Sequence, residues 1–216
     1  MRLGGEAAPR VKPTRFPMLE LPIHPLLQFV LVRPHYPENV GAAARAMKTQ
    51  GFTRLVLVKP GKMAEPNHVM AVKMAVKSLD VLSAAPVVPD VKSALAGVDF
   101  TYATTARRGV SGVWLVRKAA RDAVERAARG ERLAILFGNE KTGLAEDDLQ
   151  GAHARVRIPM AADQPSINLG QAVQIFAHEL FVAALEARER AGGAPVDEPP
   201  PESPPEPEAR DEKAHG

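Results

Sequence analysis

Three apolar runs without alternation constrain this chain more than any other feature: Phe29 to Val32, Leu55 to Val58 and Leu133 to Phe137. Each is as long as a strand and too short for a helix. An unbroken apolar run suits a strand covered on both faces, as in a parallel sheet packed between helices. Polar stretches follow two of these runs. Pro37-Glu38-Asn39-Val40-Gly41, with Arg45 beyond, follows the first, and Gly138-Asn139-Glu140-Lys141-Thr142-Gly143-Leu144 follows the last. A third stretch, Pro165-Ser166-Ile167-Asn168, closes a loop after Ala154-Arg155-Val156-Arg157-Ile158-Pro159. Loops leaving the carboxyl ends of parallel strands gather along one edge of the sheet, where ligands bind. The three stretches are therefore expected to meet in one site.

The segments between the runs fill out an α/β pattern. Asn39 is a candidate N-cap for a helix from Val40 to Gln50, with Gly51 as its C′ residue. With the flanking runs this makes a βαβ unit, the minimal parallel crossover. Residues 67–82 read as one helix with Val69, Val72, Val76 and Leu79 on its apolar face. A short strand at Val87-Val88, a short helix over 90–96, a strand over 100–104 and a charged helix over 117–129 follow. The alternation predicts an α/β fold, a mostly parallel sheet flanked by helices. The last helix, from Asn168 to about Arg190, carries a stripe of Leu169, Val173, Phe176, Leu180 and Ala184 that Ile175, Val182 and Leu185 widen. So broad a surface faces more than one neighbour, either inside the domain or in a second subunit, and the second is favoured.

The domain is expected over residues 28–190, between an irregular Pro/Arg-rich arm (1–27) and a disordered Pro/Glu-rich tail (191–216). The tail holds seven acidic and two basic residues. The rest of the chain then has 26 basic and 18 acidic residues, a net +8 that favours an anionic partner, nucleic acid first. Aromatic residues are 5% of the chain, which speaks against a stacking platform of the kind single-strand binders use, so phosphate is the expected handle. There is no cysteine, which excludes disulfides, thiolate metal sites and thiol nucleophiles. No segment approaches the roughly 18 apolar residues of a membrane span, and no secretory signal is evident, so a cytoplasmic protein is expected.

Several familiar chemistries fail on spacing. Gly138 and Gly143 enclose four residues like a phosphate-binding loop, but Leu144-Ala145 stands where Lys-Ser/Thr must follow. No G-x-G-x-x-G, G-x-S-x-G or H-E-x-x-H occurs, the six histidines are scattered, and no metal site is expected. Taken singly, the residues of the three stretches have ordinary readings. Arg45 could be a solvated helix residue, Glu140 a turn carboxylate, Ser166 and Asn168 caps of the last helix, and Gly138 and Gly143 servants of the turn. Arg117, Lys118 and Arg121 could be a charged helix face or an RNA contact.

Together the stretches resemble the SpoU/TrmH family of SPOUT RNA 2′-O-methyltransferases. The match runs through Pro37 to Lys48, Leu136 to Leu144 and Ser166 to Val173, and Thr104-Thr105-Ala106-Arg107 and His178-Glu179-Leu180 are most similar to its TrmJ-like branch. The resemblance covers residues 28–190 in order, and the family commonly has Leu where this chain has Ile167. It implies a SPOUT-type fold with a C-terminal trefoil knot, a homodimer through the C-terminal helix region, and S-adenosylmethionine as cofactor. It implies methyl transfer to a ribose 2′-hydroxyl of tRNA, at position 32 (cytidine or uridine). Ribosomal RNA as substrate, or an RNA-binding dimer without catalysis, are the alternatives. By position it places the cofactor on Thr104, Thr105, Ala106, Gly138, Ile158, Pro165, Ser166 and Ile167, and catalysis on Asn39, Arg45, Glu140, Ser166 and Asn168. RNA contact is expected at Arg45, Arg107 and Arg108. A guanidinium stays protonated at neutral pH, so Arg45 is expected to grip phosphate and orient the hydroxyl, and Glu140 to orient Arg45 or Asn168.

Overall fold

The apolar runs form the centre of a seven-stranded sheet in a computed structural model that describes residues 19–162 and 164–193. Of the arm expected over 1–27, residues 1–18 lie outside the described residues, and so do residues 194–216 of the tail expected over 191–216. In chain order the elements are β1 (Leu27–Val32), α1 (Pro37–Thr49), β2 (Leu55–Val58), α2 (Val69–Ala75), α3 (Leu79–Ser83), β3 (Val87–Val88) and α4 (Val91–Ala94). They continue as β4 (Phe100–Thr104), β5 (Trp114–Leu115), α5 (Val116–Ala128), β6 (Leu133–Phe137), a 3₁₀ turn (Asp147–Leu149), β7 (Ala154–Arg157) and α6 (Leu169–Arg190). The strand order is β3-β2-β1-β6-β4-β7-β5, and every pairing is parallel. Strand β6 therefore lies between β1 and β4, far from both in sequence, with Val30 opposite Leu136 and Ala103 opposite Leu136 on the other side.

Both faces of the sheet are buried, as the unbroken apolar runs require, but the layers differ in thickness. On one face Phe29, Leu31, Leu57, Ile135 and Phe137 pack with residues of α1, α5 and α6. Phe137 stacks on Phe29 and meets Phe176 of α6 edge-on. On the other face Val30, Val32, Val58, Ala103 and Leu136 are covered by Ala94 of α4 and by Leu144, with Leu149 beside them. That thinner cover is made largely of loop.

The structure corrects three expectations. Helix α1 begins at Pro37 rather than Val40, its N-cap is Tyr36, and Asn39 lies in the first turn with its side chain used elsewhere. Proline suits this start because its missing N–H is an orphan there. The helix expected over residues 67–82 is two short ones, broken where Val76 takes φ +50°. Its supposed buried face is outside, with Val69 71% exposed and Val72, Val76 and Leu79 also exposed, while Ala71 and Ala75 are buried. The cause is the closeness of α1. A Cβ built on Gly41 would stand 2.1 Å from the carbonyl oxygen of Ala71, so only small side chains fit this seam. Finally, Leu21 and Ile23, within the segment read as an irregular arm, are core residues.

The stripe on α6 is consumed inside the chain. Leu169, Val173, Phe176, Leu180 and Ala184 are all buried, and the helix packs on α1 and α5. A Cβ on Gly170 would stand 2.8 Å from the Ala42 Cβ, so α6 too needs a small residue against α1. Ile175 and Val182 stay half-buried outside the core cluster.

Gly41→Ala is expected to destabilise the protein. Helix propensity favours Ala by about 1 kcal/mol, but intrusion on a backbone carbonyl at 2.1 Å forces a helix shift costing about 1–3 kcal/mol. Thermal unfolding should show a lower Tm, at roughly 2–4 °C per kcal/mol for a chain of this size. An unchanged or higher Tm would show that the seam yields freely.

Candidate active site

The carboxyl ends of β4, β6 and β7 enclose a cavity of about 210 Å³. Thr104 and Thr105 close β4, Gly138 leaves β6, and Ile158 follows β7, so adjacency in the sheet brings these distant residues together. The Thr104 hydroxyl donates to Leu136 O at 3.0 Å, and Thr105 N donates to Val156 O at 2.8 Å. The turn after β6 closes on itself through Gly143 N to Asn139 O (2.8 Å). A Cβ on Gly138 would stand 2.3 Å from the Gly143 carbonyl carbon, so the turn requires glycine there. The Asn139 side chain anchors the turn, donating to Arg33 O at 2.6 Å and accepting from Lys141 N at 2.9 Å.

Of the eight positions assigned to a cofactor, Thr104, Thr105, Ala106, Gly138, Ile158, Ser166 and Ile167 line this cavity, and Pro165 does not. Leu144, from the end of the second stretch, adds apolar wall, as do Leu149 and Val110, which no motif marked.

Glu140 also lines the cavity and connects it to α1 and α6. Its carboxylate accepts from His35 N (2.8 Å), Tyr36 N (3.2 Å) and Asn39 Nδ2 (2.8 Å). Asn39 Oδ1 in turn accepts from Asn168 Nδ2 at 2.8 Å, and Asn168 Oδ1 caps α6 by accepting from Gln171 N. One hydrogen-bonded chain thus joins the three polar stretches. Asn39 is not a helix cap but the middle of this chain, and Asn168 is the cap of the last helix. Glu140 reaches Asn168 through Asn39 and does not touch Arg45.

The cationic residues divide. Arg45 is exposed on α1 outside the cavity, and its side chain has no polar partner among the described residues. The Arg107 guanidinium lines the cavity, donating to Leu144 O at 3.0 Å and Glu146 at 3.2 Å. Arg108 is exposed. Arg117 is held by Glu179 of α6 at 3.0 Å, Arg121 lies 3.7 Å from Glu186, and Lys118 sits over the Trp114 ring. The charged face of α5 is thus engaged with its own chain.

Residues 26–178 match the model of the SpoU rRNA methylase family. The chain belongs to the SpoU rRNA methylase family. It is 36% identical over 174 residues to a Yersinia pestis protein named tRNA (cytidine/uridine-2'-O-)-methyltransferase TrmJ. The match takes in 80% of this chain and 65% of that relative, so the chain spans just under two thirds of the relative's length. Among solved structures, a probable methyltransferase from Bordetella pertussis superposes with TM-score 0.70 at 36% identity, over 74% of this chain and 96% of that one. TrmJ from Z. mobilis gives TM-score 0.65 at 34% identity, over 80% and 71%. The seven-stranded parallel sheet is thus the SPOUT-type methyltransferase architecture.

One pair at the cavity wall escaped the sequence reading. Arg33, at φ +51°, grips Asp148 with both terminal nitrogens, one at 2.9 Å. Asp148 is 5% exposed and also accepts from Ala145 N at 2.6 Å. Burial alone raises its carboxyl pKa, but the hydrogen bonds from Arg33 and Ala145 and the Arg33 charge outweigh this and hold it below the ordinary range. The pair fixes the loop carrying Leu144 and Leu149. No motif announced it, because Arg33 and Asp148 stand 115 positions apart.

Asp148→Asn should cost about 1–3 kcal/mol at neutral pH, since it leaves a part-buried guanidinium and an amide N–H short of acceptors. The folded-state pKa lies below the unfolded one, so this contribution is complete above the unfolded value near 3.9 and fades as pH falls through the folded one. Urea unfolding should show wild type and D148N separated at pH 7 and converging below about pH 4. Parallel curves across that range would contradict the assignment.

Proposed function

We propose that this chain is an S-adenosylmethionine-dependent RNA methyltransferase that methylates a ribose 2′-hydroxyl of tRNA, at position 32 (cytidine or uridine), as a cytoplasmic homodimer with a C-terminal trefoil knot. The observation that carries the reading is the hydrogen-bonded chain Glu140–Asn39–Asn168, which starts in the wall of a cavity lined by Thr104, Gly138, Ile158, Ser166 and Ile167. The name borne by the Yersinia relative supports tRNA as the substrate class. The description of the family model, which names rRNA, supports ribosomal RNA as the second reading.

The lining residues fit a sulfonium nucleoside. Apolar walls from Leu144, Leu149, Ile158 and Ile167 suit a purine, and a few polar groups, among them Thr105, Ser166 and the Glu140 carboxylate, suit the rest. Bound there, the cofactor supplies an electrophilic methyl on a cationic sulfur. The chain's own task is then alignment of the ribose oxygen, and alignment contributes up to roughly 7–11 kcal/mol in favourable cases. Glu140 is a positioning residue in this scheme. Its two oxygens already hold three N–H donors, so a role as base would break the chain that orients Asn39 and Asn168. Arg45 stands about 9 Å along α1 from Asn39, by helical rise. From outside the cavity it meets the RNA, gripping phosphate and turning the hydroxyl toward the methyl. Among the described residues no helix is long and apolar enough to cross a membrane.

Two measurements test this reading. S-adenosylmethionine at one hundred times its Kd should stabilise the folded protein by about 2.7 kcal/mol, visible as a rise in Tm. Methyl transfer should then occur to tRNA and vanish on tRNA with 2′-deoxyribose at the target. Transfer to ribosomal RNA alone supports the second reading, and tRNA binding without transfer supports a non-catalytic RNA binder. Glu140→Gln, which replaces one acceptor oxygen by a donor, should lower kcat about 5- to 150-fold, the equivalent of about 1–3 kcal/mol. Arg45→Lys should also lower turnover, because an ammonium lacks the planar fork. Full activity in R45K would remove the need for that fork.

A further inference from the structure

Next to the same hydrogen-bonded chain stands an exposed aromatic ring that the fold does not need. Tyr36 is 44% exposed and is the one aromatic residue among the exposed large hydrophobic side chains of the described residues. It occupies the N-cap of α1, yet its side chain makes no capping hydrogen bond. What holds the ring is a small cluster of neighbours. His35 meets it edge-on at 4.6 Å, and Lys141 Nζ lies 5.4 Å from its centroid. Lys141 Nζ is also 2.9 Å from His35 Nε2, which ties the two braces to each other. The backbone N–H groups of His35 and Tyr36 both bind Glu140, so the ring is registered on the carboxylate that orients Asn39 and Asn168.

The ring borders an open hollow of about 520 Å³ that also includes Lys62, Met63, His68 and Met70. Lys62 and Met63 are exposed. The one carboxylate in the hollow, Glu38, lies in the first turn of α1, next to the positive end of the helix. An exposed aromatic ring with one lysine beside it, a second in the same hollow and a flexible thioether wall matches what single-stranded RNA offers: a flat base to stack and a phosphate to neutralise. Within the hollow Lys62 stands against Glu38, and Lys141 beside the ring adds the net positive charge that an RNA strand would meet.

We propose that Tyr36, braced by His35 and Lys141, is the stacking platform for an unpaired RNA base flanking the nucleotide that enters the site, with Lys141 and Lys62 meeting adjacent phosphates. This inference rests on the RNA reading of the cavity and deepens it. Tyr36 becomes a substrate-positioning residue, separate from the groups assigned to the cofactor. The low aromatic content of the chain does not oppose it, because one ring, tied through its own N–H to Glu140 of the site, suffices to fix one base.

The experiment measures the Kd of tRNA transcribed in vitro for wild type, Tyr36→Ala, Tyr36→Trp and Lys141→Gln, alongside the Kd of S-adenosylmethionine for each. Base stacking is worth about 1–3 kcal/mol per base, so Y36A should weaken tRNA binding about 5- to 150-fold. Cofactor binding should stay within about twofold, and Y36W should retain tRNA affinity. K141Q should reduce the steepness of the salt dependence by about one phosphate contact. An unchanged tRNA Kd in Y36A overturns the proposal, and so does an equal loss in Y36W. Methyl transfer by the wild type tests the enzymatic reading independently. A wild type that binds tRNA without methylating it overturns that reading, and the ratio of variant to wild-type Kd still decides the role of Tyr36.

Discussion

Two carboxylate oxygens of Glu140 collect donors from the chain entering α1 and from Asn39 within it, and Asn39 passes the constraint to Asn168 at the start of α6. Remove this acceptor and three N–H groups near the sheet edge lose their partner at once. The Asn39 amide is buried, and an unpaired buried donor costs about 1–3 kcal/mol. The alternative for the chain is to let the β6 turn, the start of α1 and the start of α6 separate. The site therefore exists as a consequence of satisfying backbone and amide donors. Asn168 shows the economy of this, since its amide nitrogen binds Asn39 and its oxygen caps α6.

That chain can close only because the helices approach unusually near. Gly41 admits the Ala71 carbonyl, Gly170 admits Ala42, and Gly138 admits the returning turn at Gly143. The two helix-borne glycines bring α2 and α6 in on α1. Each close approach is incompatible with a Cβ, so glycine is a packing requirement at these positions. The insertion of β6 between β1 and β4 does the rest, because it places Gly138 and Glu140 between the ends of two strands distant in sequence.

Strands β1, β2 and β6 were legible in the sequence because burial on both faces writes an unbroken apolar run that no amphipathic element can imitate, whereas the two-residue β5 left no such mark and was not anticipated. Their parallel direction followed from the helical segments between them. Helix α2 was misread for a related reason: Val69, Val72, Val76 and Leu79 carry the right period, but the buried seam belongs to Ala71 and Ala75, which periodicity undervalues. Hydrophobic patterning reports how much a residue gains from burial and says nothing of how close the neighbouring backbone comes. Asn39 was misread as a cap because its real partner, Glu140, is 101 positions away. The convergence of the three polar stretches could be read from strand-end geometry, but the pairing of Arg33 with Asp148 and the bracing of Tyr36 could not. Both depend on side chains from loops whose mutual position only the folded sheet determines.

The unequal layers of the sheet connect stability to the site. One face is closed by α1, α5 and α6, with α2 and α3 in the same core, whereas the other relies on α4 and the loop holding Leu144 and Leu149. Those two leucines also line the cavity, so the wall of the site doubles as the cover of half the core. Arg33 fastens this wall at both ends, its carbonyl taking Asn139 and its guanidinium taking Asp148. A ligand packing against Leu144 and Leu149 completes that thin layer and shields it from water. Local unfolding free energies are lowest where cover is loop rather than helix, and this edge is where a binding site gains from being able to open.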